Sequence, residues 1–167
     1  MLRIKNTFLL ITVLFISACG YHLRGSIDLP EELKRIYVQG ASGQLNKIMK
    51  KTLKSSGGTI VDKVQQAGIV VAIVKEKMDR RVLSLSSTGR ANEYQITYTL
   101  NFNLLDAKGN SLTELQHLEI NRDYFNDQEQ ILAKNIEEQI IRDEIYRKAV
   151  QSIINRSRIA LERSNKI

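Results

Sequence analysis

Six large apolar residues at every second position, Tyr94, Ile96, Tyr98, Leu100, Phe102 and Leu104, constrain the fold more than any other run in this chain. Between them stand Gln95, Thr97, Thr99, Asn101 and Asn103. A two-residue period puts all the large groups on one face of a strand over Glu93 to Leu105. That face needs a cover, and the opposite face is polar without being charged. It is wet or lies against a polar partner. Asp106 to Asn110 reads as a hairpin turn, and Ser111 to Phe125 returns as the partner strand, its alternation broken near Leu115 by a bulge.

The remaining strands and the cover follow from the same patterning. Ile69 to Val74 is a continuous aliphatic run that suits a central strand, extending toward Met78. Ile36 to Val38 reads as a first short strand. Asp79-Arg80-Arg81 and Ser84 to Arg90 read as a polar connection around Gly89, the place for a mobile loop. Leu45, Ile48, Met49 and Leu53 recur at helical spacing from Ser42, with lysines on the other side and Gly57-Gly58 as the stop. A long C-terminal helix opens at Asn126, with Glu129 placed for a capping box. Its apolar stripe is Ile136, Ile140, Ile145, Ala149 and Ile153 with Ile141, Val150 and Ile154. The expected fold is α+β: an antiparallel-rich, mixed sheet of about four strands with two helices packed on one face. Ser164 to Ile167 are expected to be disordered.

The amino terminus sets the compartment. Arg3 and Lys5 precede the apolar run Phe8 to Ile16, and small residues stand just before Cys19, the only cysteine. That order is a secretory signal, and its apolar core is too short to span a bilayer. Ile16-Ser17-Ala18-Cys19 resembles a bacterial lipobox, so residues 1–18 are expected to be removed. Cys19 would then carry diacylglycerol and an N-acyl chain, since stable anchoring takes more than one chain. Residues 19–167 form one domain of ordinary size. No disulfide can form within it, so the fold rests on packing.

The formal net charge is +7, and residues 1–18 hold two of the positives and no acid, so the rest carries +5. A basic exported domain meets anionic lipid or an acidic protein surface; nucleic acid is not an expected partner outside the cytoplasm. His22 and His117 lack neighbours at metal-ligand spacing, so no metal is expected. No Gly-x-Ser-x-Gly, His-Glu-x-x-His or phosphate-loop spacing occurs, and no enzyme is expected. Glu137, Glu138, Asp143 and Glu144 mix with Arg142, Arg147 and Lys148 as a solvated helix face would.

Four segments in order carry a resemblance to the LptE family of LPS-assembly lipoproteins. They are Cys19-Gly20-Tyr21-His22-Leu23-Arg24, Gly89-Arg90-Ala91-Asn92-Glu93-Tyr94-Gln95, Arg122-Asp123-Tyr124-Phe125-Asn126-Asp127, and Leu132-Ala133-Lys134 with Glu137 and the stripe after it. The resemblance implies a non-enzymatic outer-membrane lipoprotein that plugs and helps assemble the LptD β-barrel and binds lipopolysaccharide during delivery to the outer leaflet. Gly20 after the lipidated cysteine is compatible with that membrane. An auxiliary lipoprotein of another envelope lipid-transport or barrel-insertion complex would share the signal but not the four segments together.

In that family, lipopolysaccharide binding is associated with basic residues in the loop before Glu-Tyr-Gln and with the lysine of Leu-Ala-Lys. Lys134 matches the second. Ser87 stands where the first is expected, and Arg80, Arg81 and Arg90 flank it as substitutes. Lys and Arg suit phosphate, Arg by paired hydrogen bonds. Tyr124 and Phe125 are candidates for contact with the barrel or for stapling the long helix.

Overall fold

The computed structural model describes residues 29–126 and 131–164. The expectations for the signal, Cys19, the start motif, the Glu129 cap and residues 165–167 lie outside these residues, as does the side chain of Lys134. Five strands form one sheet: β1 (Arg35–Gln39), β2 (Thr59–Ile60), β3 (Ile69–Leu85), β4 (Ala91–Leu105) and β5 (Gln116–Phe125). Their spatial order is β2-β1-β3-β4-β5. Two helices, α1 (Gly43–Ser55) and α2 (Ile131–Ser164), complete the α+β fold.

β1 runs parallel to both β2 and β3, while β3, β4 and β5 form an antiparallel meander. Parallel neighbours need a crossover, and α1 supplies the one between β1 and β2. α1 begins where Ser42 Oγ accepts a hydrogen bond from Leu45 N at 3.2 Å. It ends in a Schellman pattern: Gly58 N donates to Leu53 O at 2.8 Å and Gly57 N to Lys54 O at 3.3 Å. Gly57 has φ +74°, a conformation that favours glycine.

The core lies between one sheet face and the two helices. Ile96, Tyr98, Leu100, Phe102 and Leu104 of β4 are fully buried, as the alternation predicts. They meet Leu45, Met49 and Leu53 of α1 and Ile145, Ala149, Val150, Ile153 and Ile154 of α2 within one cluster. β3 is central and opens with buried Ile69, Val70 and Val71.

Four expectations change. The sheet has five strands, because Thr59–Ile60 adds a parallel pair too short to show a period. β3 does not stop near Met78 but runs to Leu85, so Arg80 and Arg81 lie on a strand and only Ser86 to Arg90 turns. β5 starts at Gln116; the break near Leu115 is the strand's beginning, and Ser111 makes only an isolated bridge to Leu105. Ile136 and Ile140 are exposed. At about 100° per residue they fall on the side of α2 opposite Ile145 and Ala149, and Glu144 and Arg147 continue their row.

Candidate functional site

β1 accompanies β3 only as far as Ala72. From Lys75 to Leu85, β3 pairs with β4 alone, and with β5 this makes a three-stranded extension. The register alternates its side chains between two faces. Met78, Arg80 and Val82 stand opposite Tyr98, Ile96 and Tyr94, on the face that α2 covers. Asp79 and Arg81 stand opposite Thr97 and Gln95, on the other face. Arg80 and Arg81 therefore point to opposite sides of the sheet and cannot hold one ligand together.

On the covered face, Glu138 of α2 gathers the donors. It accepts from Arg80 Nη1 at 3.0 Å, Tyr124 Oη at 2.7 Å, and Arg142 Nε and Nη2 at 2.9 and 2.7 Å. The Arg80 guanidinium also lies 4.6 Å from the Tyr94 ring centre, and Tyr94 stacks at a tilt on Tyr124, 5.6 Å away. Burial opposes the charge on Glu138, but bonds from Tyr124, Arg142 and Arg80 outweigh it and hold the carboxyl below its usual range. Burial, then the bond to Glu138, pushes the Tyr124 hydroxyl up to about 12. Arg80 and Tyr124 thus tie α2 to the sheet. The pair Tyr124-Phe125 divides: Tyr124 is 7% exposed and Phe125 is 65% exposed on the other face.

The uncovered face is a row of hydrogen-bonded polar side chains. Arg81 Nε donates to Gln95 Oε1 at 2.9 Å, and Gln95 Nε2 to Asp123 Oδ1 at 2.7 Å. Thr97 Oγ1 donates to Asn121 Oδ1 at 2.7 Å, and His117 Nδ1 lies 2.7 Å from Asn101 Oδ1. Such a face stays wet or meets a polar wall without needing new donors.

The end of the hairpin combines charge with grease. Its turn is closed by Ser86 N donating to Arg90 O at 2.7 Å and Gly89 N to Ser86 O at 2.9 Å. Ser87 and Arg90 are exposed there. Val82, Leu83, Leu85 and Phe125 are also exposed, Leu85 at 63%. Lys134 belongs to the helical turn before Glu138. Sequence reasoning missed the exposed aliphatic residues, which were hidden in a stretch read as polar. Nor does the sequence distinguish Glu138, one acid among several on a helix face that reads as solvated.

Among the described residues no group of His, Cys, Asp and Glu could hold a metal ion, and no helix is long and apolar enough to cross a membrane. A family model described as LptE, lipopolysaccharide-assembly, matches residues 33–157. The chain is 27% identical over 154 residues to the LPS-assembly lipoprotein LptE of Photorhabdus laumondii subsp. laumondii, covering 91% of this chain and 84% of that one. It is 27% identical over 157 residues to the same-named protein of Pectobacterium atrosepticum, covering 92% and 84%. Among solved structures, an uncharacterized lipoprotein B from Nitrosomonas europaea superposes with TM-score 0.68 at 28% identity, over 87% of this chain and 93% of that one. The rare lipoprotein B of Shewanella oneidensis shares the fold at TM-score 0.63 and 23% identity, over 80% and 99%.

Proposed function

The chain belongs to the LptE family of lipopolysaccharide-assembly proteins, and from that premise we propose that it is a non-enzymatic lipoprotein of the outer membrane. It is held there by acyl chains on Cys19, plugs and helps assemble the LptD β-barrel, and binds lipopolysaccharide on its way to the outer leaflet. The observation that carries this reading is the extent of the family match, residues 33–157, which takes in all five strands, α1 and α2 as far as Ser157.

Two features of the geometry agree with it. The lumen of a large barrel is polar, and the uncovered face of β3, β4 and β5 offers Thr, Asn and Gln side chains already bonded to each other. Lipopolysaccharide joins phosphates to acyl chains, and the hairpin end joins Arg90 and Arg81 to exposed Leu83, Leu85 and Phe125. In this reading Arg90 and Lys134 take the phosphates, with Arg81 at the margin. Arg80 serves by holding α2 through Glu138, and Phe125 rather than Tyr124 is the partner contact.

The test is binding of purified lipopolysaccharide to the Arg90→Asp, Lys134→Asp double variant. Reversing two phosphate contacts is expected to weaken affinity at least tenfold while the variant still co-purifies with its barrel. Unchanged glycolipid affinity contradicts the assignment of these residues.

A further inference from the structure

The side of α1 turned away from the core carries Lys47, Lys50, Lys51 and Lys54, all exposed. At about 100° per residue they fall in one stripe, opposite the buried Leu45, Ile48, Met49 and Leu53. The helix contains no acidic residue. Among the described residues none of the four lysines reaches a carboxylate at ion-pair distance. The cations of α2 differ: Arg142 meets Glu138 at 2.7 Å and Lys148 meets Glu144 at 3.3 Å.

Helix stability does not account for this stripe. Lys47 and Lys51, like Lys50 and Lys54, stand one turn apart, a like-charge spacing that weakens a helix. Only Lys54 lies in the last turn, where the helix dipole favours a cation. A solvated helix face ordinarily mixes both signs, as α2 does. The stripe instead concentrates four positive charges, against a net +5 for the whole of residues 19–167.

Its place in the fold says what it meets. α1 covers the half of the sheet remote from the hairpin end: Ser42 at its start bonds Glu76 midway along β3, and its far end lies beside the start of β1. Leu29 packs at that far end, where a Cβ added to Gly58 would stand 3.1 Å from Leu29 Cδ1 and 3.4 Å from Leu53 Cδ2. Leu29 is ten residues along the chain from Cys19, a span of at most about 35 Å. An acyl anchor at Cys19 therefore keeps this end of α1 close to a layer of lipid headgroups, and the tether lets the stripe come within the Debye length of about 8 Å. Lysines suit such a layer, since a point charge needs no fixed acceptor geometry. We propose that the α1 lysine stripe docks on the anionic phospholipid surface of the leaflet that holds the anchor, a second membrane signal beside the acyl chains. The inference rests on the proposed acylation of Cys19 and leaves the hairpin end free.

The test places the full chain, purified from membranes, in vesicles of phosphatidylcholine alone or of phosphatidylcholine with phosphatidylglycerol. Flotation reports the anchor, and an amine-reactive label read by peptide mass spectrometry reports each lysine. Slower labelling of Lys47, Lys50, Lys51 and Lys54 is expected in the anionic vesicles only, reversed by high salt, with Lys148 unchanged. A second arm removes the anchor: Cys19→Ala should bind anionic vesicles more tightly than neutral ones, and adding Lys50→Gln and Lys54→Gln should cut that affinity roughly tenfold or more. Circular dichroism checks that the variants fold. A chain that floats with both kinds of vesicle and labels equally in them overturns the docking surface and leaves the anchor standing. A chain that floats with neither overturns both. Protection seen only in the co-purified barrel complex assigns the stripe to an acidic protein wall and overturns the proposal as well.

Discussion

Glu138 shows how a single side chain decides what the rest of this end can do. It takes four hydrogen bonds from three residues, and its carboxylate is largely shielded, at 18% side-chain exposure. Glu138→Ala would leave the Tyr124 hydroxyl and the Arg142 and Arg80 guanidiniums without their acceptor. A loss of about 2–3 kcal/mol is expected, measurable as a lower urea midpoint at unchanged slope. The sign with pH follows from the lowered carboxyl. A carboxylate whose folded pKa lies below its unfolded value contributes stability above the unfolded pKa, near 4.5, and loses it as pH falls through the folded value. Urea unfolding of wild type and Glu138→Gln should therefore differ at pH 7 and converge as pH falls through the folded value. A difference that stays constant across that range would mean the carboxylate charge is not what holds Arg80 and Arg142. Nothing in the sequence singled out this residue. Arg142 stands one helical turn away, but Arg80 and Tyr124 lie 58 and 14 residues away in the chain and meet it only through the register of the sheet.

At the level of elements, what the sequence shows depends on whether a face has one kind of neighbour. β4 was legible because its buried side is uniformly apolar and its other side uniformly polar. The second half of β3 was not, because its covered face meets charged residues of α2. Glu76, Arg80 and Met78 face inward there, bonded to Ser42, Glu138 and Arg142, so polarity appears on both faces and the two-residue signal vanishes. The helix shows the converse. Ile136 and Ile140 have the spacing of a core stripe but the wrong phase, and only the packing of Ile145 and Ala149 reveals it. This gives a paired prediction for thermal or urea unfolding. Ile145→Ala, at a fully buried site, should cost about 2–5 kcal/mol. Ile140→Ala, at 59% exposure, should stay within about 0.5 kcal/mol. Equal losses at the two positions would place the core on a different face of α2.

At the scale of the whole molecule, three regions of different chemistry come together. In the proposed reading acyl chains on Cys19 would hold the domain at a membrane, while the hydrogen-bonded polar sheet face suits the inside of a barrel and the hairpin end mixes arginine with exposed aliphatic residues. The family was legible in the order of four short segments, while the site was legible only in part, since Lys134 and Arg90 stand out by motif and Leu83, Leu85 and Phe125 only by exposure. Cys19→Ala is expected to leave the circular dichroism spectrum unchanged and to shift the protein out of the membrane fraction, because the acyl chains are the proposed anchor. Retention of that variant in membranes lacking the barrel would place the anchor elsewhere in the chain. The proposed barrel partnership is measured most directly by co-purification: a tag at the carboxyl terminus, outer membranes solubilised in mild detergent, and the associated species identified and quantified. An equimolar large β-barrel together with lipopolysaccharide is the expected result. Recovery of the lipoprotein alone, under conditions in which other barrel complexes survive, would contradict it.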